Sequence, residues 1–104
     1  MEVFVRHDAE LDALGYFEYI HRRDPEAALR FLAAIDRTVE GLAGQPMKGR
    51  LRRFRGRDLK SIRSWRVDDF ESYLIFYRAT KDRLEVLRIK HGAMNFPQAL
   101  ESNE

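Results

Sequence analysis

Ala9, Ala13, Tyr16 and Ile20 recur at helical spacing and draw one apolar stripe along the first part of the chain, widened by Leu14 and Phe17. Asp8 stands ahead of the stripe as the expected N-cap, and Val3–Arg6 before it reads as a strand. The pattern breaks at Arg22-Arg23-Asp24 and restarts at Asp24-Pro25-Glu26. There Asp caps, Pro takes the first helical position, and Glu sits against the positive end of the helix dipole. A second stripe of Ala28, Phe31, Ile35, Val39 and Leu42 ends at Gly44-Gln45-Pro46. So short a break permits only an antiparallel helical hairpin.

From Lys48 the period becomes extended. Residues 48–58 read as an irregular arm with a short strand at Arg50–Phe54, followed by a strand over Lys60–Val67. Asp68-Asp69 and Glu71-Ser72 are expected to turn the chain into Tyr73–Ala79. A polar turn at Thr80-Lys81-Asp82-Arg83 then leads to Leu84–His91, both runs being rich in aromatic and β-branched residues. The predicted fold is α+β, in the order β-α-α-β-β-β: an antiparallel sheet with the helical hairpin on one face. The other face is expected to stay partly open and to carry the strand-borne basic residues. Residues 1–104 read as a single domain with a C-terminal tail at 96–104, uninterrupted by repeat, linker or low-complexity tract.

Composition narrows the function classes. With 44% hydrophobic and 12% aromatic residues the chain can bury a core, and the lack of cysteine excludes disulfides, thiolate chemistry and Cys-based zinc sites. No apolar run is long enough for a membrane span and the start lacks the build of a signal peptide, so a cytoplasmic protein is expected. Charge is divided unevenly. Residues 1–47 carry five Lys/Arg against nine Asp/Glu, while residues 48–104 carry fourteen against eight. Nine basic residues and one acid, Asp58, lie between Lys48 and Arg66. Such a lobe either attracts nucleic acid or an acidic protein segment, or is a solvated basic face.

Several side chains are candidates for chemistry. His91 ends a strand beside Gly92 and is either a general acid or a hydrogen-bonding residue that pins the tail to the sheet. Arg63, Arg78 and Arg88 lie on three consecutive strands and either converge on an anion site or pair with Asp68, Asp69, Glu71 and Glu85. Trp65, between Arg63 and Arg66, is either an exposed anchor or part of the core. Alternation places Arg63, Trp65 and Val67 on one face, and Ile62, Ser64 and Arg66 on the other. His7 and His21 fall at the expected ends of the first helix, and no metal site or cofactor is indicated. In the tail, Met94–Glu101 can form a helical turn with Phe96 and Leu100 on one side, either docked on the core or binding the target.

The order Tyr73-Leu74-Ile75-Phe76-Tyr77-Arg78, hairpin, Glu85-Val86-Leu87-Arg88-Ile89, then His91-Gly92-Ala93 resembles the C-terminal half of the RelE/ParE toxins of bacterial type II toxin–antitoxin systems. Ala9, Asp12, Ala13, Tyr16, Tyr19 and Ile20 match the family's first helix, and Pro25-Glu26-Ala27-Ala28 with Phe31 its second. Leu42, Pro46 and Gly49 resemble the helix exit, and Ile62-Arg63-Ser64-Trp65-Arg66-Val67 with Phe70 the strand before the hairpin. The resemblance implies the fold above, growth arrest, plasmid or chromosome maintenance, and a cognate antitoxin in a hetero-oligomer. RelE-like members are ribosome-dependent mRNA endonucleases with Lys, Arg and a C-terminal Tyr or His at the scissile phosphate. Characterised ParE-like members inhibit DNA gyrase without that set. Here no Tyr follows Tyr77, and His91-Gly92-Ala93-Met94-Asn95 resembles ParE-type endings. The resemblance therefore implies a gyrase inhibitor acting by protein contact, with Arg63, Trp65, Arg66, Arg78 and Arg88 meeting the target. The alternative is a metal-independent endoribonuclease using His91, Arg63 and Arg88, with the ribosome and mRNA as partners. A non-toxic antitoxin- or nucleic-acid-binding remnant is the third reading.

Overall fold

The computed structural model describes residues 1–52 and 61–92. Strand β1 (Glu2–Val5) runs almost directly into helix α1 (His7–His21), and helix α2 (Pro25–Gly44) follows after a short break. A single 3-10 turn (Pro46–Lys48) leads to β2 (Arg50–Leu51), then β3 (Arg63–Val67), β4 (Phe70–Ala79) and β5 (Arg83–His91). The strands form one sheet in the order β1-β5-β4-β3-β2. The helical hairpin packed on one face and the three long strands after it are as predicted, and the two-residue β2, within the short strand expected at Arg50–Phe54, makes the full order β-α-α-β-β-β-β. One edge differs from a purely antiparallel sheet, since β1 pairs parallel with β5 while the other neighbours are antiparallel. A parallel neighbour needs a long crossover, and the chain that intervenes after β1 supplies it.

Helix α2 begins as its sequence dictates. Asp24 accepts a hydrogen bond from the Ala27 N–H at 3.1 Å, and Pro25 fills the first turn. The helix buries Phe31, Ile35, Val39 and Leu42 against Val67, Ile75, Tyr77, Leu84, Val86 and Ile89 of the sheet. Each large apolar side chain so buried contributes on the order of 1.5–3 kcal/mol. Helix α1 departs from expectation at its start: Arg6 occupies the N-cap and Asp8 lies in the first turn. The reason is the short passage from β1, in which the Arg6 N–H still bonds Val86 O (3.0 Å) while Arg6 O accepts from Glu10 N–H (3.1 Å). Ala9, Ala13, Tyr16 and Ile20 face the core as predicted, but Leu14 is 52% exposed and does not widen the buried stripe.

The β3–β4 turn is also tighter than expected. Asp69 takes a left-handed conformation (φ 66°), and β4 begins at Phe70 rather than Tyr73, so Glu71 and Ser72 are strand residues. Helix α2 holds this turn: Thr38 Oγ1 accepts the Asp68 N–H at 3.0 Å, and Arg37 reaches Asp68 (3.6 Å) and Asp69 (3.2 Å). On the face away from the helices, Ile62, Phe76 and Leu87 form a second buried cluster with Leu74 packed against it. That face is therefore apolar at its centre. The arm segment 53–60, with the expected start of a strand at Lys60, and the tail 93–104 lie outside the described residues. Among the described residues no helix is long and apolar enough to cross a membrane.

Candidate functional site

β1 covers the outer edge of β5 only as far as the pair Val5–Val86. Beyond it, α1 crosses that edge. Asp12 Oδ2 accepts the Ile89 N–H and the Tyr16 hydroxyl accepts the His91 N–H, each at 3.0 Å. Four helical residues rise about 6 Å and two strand residues about 6.7 Å, so one turn of α1 matches one repeat of the strand. Two side chains thus do the work of an absent sixth strand.

The same carboxylate binds cations. Arg88 donates to both oxygens of Asp12, at 2.7 and 3.0 Å, and Lys90 Nζ approaches to 3.4 Å. The side chains of Asp12, Arg88 and Lys90 are only 11%, 13% and 8% exposed, so two cations share one anion in a poorly hydrated place. The hydrogen bond to Asp12 holds the Arg88 guanidinium above its ordinary pKa despite burial.

Beside this cluster Leu11, Asp12, Gly15, Tyr16, Tyr19, Tyr73 and His91 line an open cleft of about 550 Å³. Tyr73 meets His91 edge-on (ring centroids 5.1 Å apart) and Tyr16 likewise (4.9 Å). Burial pushes the Tyr16 and Tyr73 phenols up from their ordinary value, keeping them protonated. His91 is therefore tied at its backbone and its ring packs on Tyr73, at the border of the cleft.

The five arginine and tryptophan candidates do not form one patch. Arg63 and Trp65 pair in register with Tyr77 and Ile75, which belong to the core under the helices; Arg66 pairs with Leu74 on the opposite face. Arg63 donates to Gly49 O at 2.8 Å and Met47 O at 3.3 Å. Beside it the buried Tyr77 hydroxyl donates to Pro46 O (2.7 Å) and accepts the Gly49 N–H (3.0 Å). Arg78 lies 3.4 Å from Glu85, its cross-strand neighbour. Arg88 is held by Asp12. His91 pairs with Tyr73 on one side of β4, whereas Arg63 pairs with Tyr77 on the other. The set His91, Arg63 and Arg88 is thus not brought together around one point.

What does assemble is a cation–aromatic surface around Trp65. The ring is half-buried against the core, with Lys48 Nζ 4.9 Å and the Arg66 guanidinium carbon 5.1 Å from its centroid. Arg66 also meets Glu71 at 3.6 Å, both side chains more than half exposed, so water screens the pair. On the opposite face of the sheet Arg52, just past β2, donates to Ser64 Oγ at 2.7 Å and lies over the Phe76 ring. Burial and the neighbouring Arg50 lower its pKa. His7 and His21 sit at the two ends of α1, and among the described residues no three His, Asp or Glu side chains gather as metal ligands. Sequence reasoning overlooked Asp12 as the partner of Arg88. Its signal was a carboxylate one turn from Tyr16, between Ala9 and Ala13 of the apolar stripe.

Comparison with known proteins places this geometry in a family. Residues 3–96 match the family described as the ParE toxin of the type II toxin–antitoxin system, parDE. A protein of Sinorhizobium fredii (strain NBRC 101917 / NGR234) named as a candidate toxin, Y4kP, is 38% identical over 90 residues, covering 86% of this chain and 84% of its own. The toxin fold recurs in a chain from the chromosomal ParDE system of P. aeruginosa, with a TM-score of 0.69 at 18% identity, over 88% of this chain and 95% of that one. It recurs again in the YoeB/ParE toxin of Agrobacterium tumefaciens, with a TM-score of 0.54 at 18% identity, over 88% of this chain and 98% of that one. With a match spanning nearly the whole sequence and the same two-layer fold, this chain belongs to the ParE toxin family of type II toxin–antitoxin systems.

Proposed function

We propose that the toxin inhibits DNA gyrase in the cytoplasm through a protein–protein contact centred on Trp65 with Arg66 and Lys48, and that a cognate antitoxin neutralises it in a hetero-oligomer. Supporting the contact is the Trp65 surface: an aromatic ring flanked by two cations, firmly backed by the core and reachable from solvent. Such an anchor gains affinity by desolvation, and the surrounding charge steers an acidic or DNA-bearing target towards it. Arg78 and Arg88 act behind this surface, as members of ion pairs that keep β4, β5 and α1 in place. Supporting the antitoxin is family membership together with the paired system named for the P. aeruginosa structure.

A second reading, a ribosome-dependent mRNA endonuclease, draws on His91 at the aromatic cleft. A general acid there would protonate the leaving oxygen of a cleaved phosphodiester. Inducing the chain without its antitoxin separates the two. Gyrase inhibition gives DNA damage and filamentation with messages intact, and supercoiling by purified gyrase falls; nuclease action gives codon-aligned cuts within minutes. Trp65→Ala and Arg66→Glu should abolish toxicity in folded protein while His91→Gln keeps it. Loss of toxicity in folded His91→Gln alone would reverse the assignment, and normal growth under wild-type induction would mark a non-toxic remnant.

A further inference from the structure

The sheet face turned away from the helices carries two arginines that no carboxylate among the described residues answers. Arg50 in β2 stands opposite Ser64, and Ser64 opposite Phe76, so the three share that face. Arg52 lies two residues on, where its N–H continues the ladder to Ile62 O at 2.7 Å, and its side chain returns to the same side. There Nε donates to the buried Ser64 Oγ at 2.7 Å, and the guanidinium carbon lies 5.8 Å from the centre of the Phe76 ring. The Ser64 bond uses one of the five N–H donors of Arg52, and neither arginine is ion-paired among the described residues. Burial, and then the like charge of Arg50, disfavour the Arg52 cation, a cost that an arriving anion would offset.

We infer that Arg50 and Arg52 form a binding site for the backbone phosphates of duplex DNA, with Ser64 and Phe76 setting the Arg52 guanidinium in place. The site goes beyond the contact at Trp65, and a DNA-bearing target would meet both. Its floor argues against a protein as occupant. Ile62 and Phe76 are 1% and 0% exposed, so the patch presents charge without the exposed apolar anchor that a protein contact needs. It presents no ring to an unstacked base either, since Phe76 is buried, which argues against a single strand. What remains is backbone recognition, in which two guanidinium forks meet phosphate oxygens whatever the base sequence. The chain brings little acid to compete, with nine basic residues and one acid between Lys48 and Arg66.

The test titrates a fluorescein-labelled DNA duplex of mixed sequence with the full-length toxin across a salt series, read by anisotropy. Arg50→Gln/Arg52→Gln should weaken binding at least tenfold at low salt. It should also flatten the slope of log K against log salt by about 1.8, at roughly 0.9 per phosphate contact. Arg22→Gln/Arg30→Gln, which removes the same charge from the exposed side of the helices, should stay within twofold of wild type. Arg50→Gln alone keeps the Ser64 bond and should fall between, so a folding defect at Arg52 cannot mimic the result. Equal losses in the two double variants would reduce the effect to net charge and overturn the site. Tighter binding of single-stranded RNA than of duplex overturns it too, as does displacement of the duplex by polyglutamate or inorganic phosphate beyond that by chloride at matched ionic strength. Supercoiling assays keep the two contacts apart, since Trp65→Ala should lose gyrase inhibition and retain duplex binding. Wild-type toxin that inhibits gyrase but binds no duplex overturns the phosphate site alone. Duplex binding through Arg50 and Arg52 with gyrase left active overturns the gyrase reading and leaves the phosphate site standing.

Discussion

Replacing Asp12 by alanine removes an anion that holds two buried cations and one strand-edge N–H. Arg88 loses a bidentate partner at 2.7 and 3.0 Å, Lys90 loses its contact at 3.4 Å, and the Ile89 N–H loses its acceptor. With those side chains 13% and 8% exposed, water cannot compensate without opening α1 from β5. Breaking a buried pair by deleting one member costs about 3–5 kcal/mol, against a total of roughly 5–15 kcal/mol for a domain of this kind. A Tm lowered by about 14–23 °C follows from the entropy of unfolding at this chain length. Urea titration followed by far-UV circular dichroism measures the loss. Asp12→Asn keeps an acceptor for Ile89 and should lose about half as much. Replacing the whole cluster (Asp12→Leu with Arg88→Met and Lys90→Met) should recover most of the stability, because no charge is then left buried alone. If Asp12→Ala unfolds within about 1 kcal/mol of wild type, the cluster is hydrated and α1 is not acting as the missing strand.

Gly49→Ala should destabilise by about 1–3 kcal/mol in the same assay, since a Cβ there would overlap the buried Tyr77 hydroxyl and ring, which are held by Pro46 and Gly49 itself. Tyr16, Tyr73 and Tyr77 all have phenols raised above 10.0, chiefly by burial. The folded chain therefore keeps protons that the unfolded chain releases, so stability is full below pH 10 and declines as pH climbs through the raised values; ultraviolet titration of phenolate should lag in native protein relative to protein in urea. Arg37→Ala should cost less than about 1 kcal/mol, because its pairs with Asp68 and Asp69 are half-exposed or more and Thr38 holds the turn independently.

Local pattern carried most of the architecture. Helical periodicity, the Asp24-Pro25 restart and the β-branched runs marked both helices and the long strands, because burial of one face and capping of backbone groups are requirements each segment meets by itself. The motif order was enough for the family, and alternation along β3 separated Trp65 from Arg66 correctly. Boundaries that depend on contacts were less legible. The start of α1 at His7 follows from its short link to β1, and the early start of β4 from the hold of α2 on the Asp68–Asp69 turn. The site was decided by tertiary structure alone. A basic residue on a strand takes whichever anion the packing brings near, and for Arg88 that anion, Asp12, lies 76 residues away. Nearest neighbours in sequence explained Arg66 and Arg78, paired with Glu71 and Glu85. The sequence by itself thus determined which segments fold and which family they form. Only the three-dimensional crossing of α1 over the edge of β5 decided which cations are spent inside the molecule and which remain at its surface.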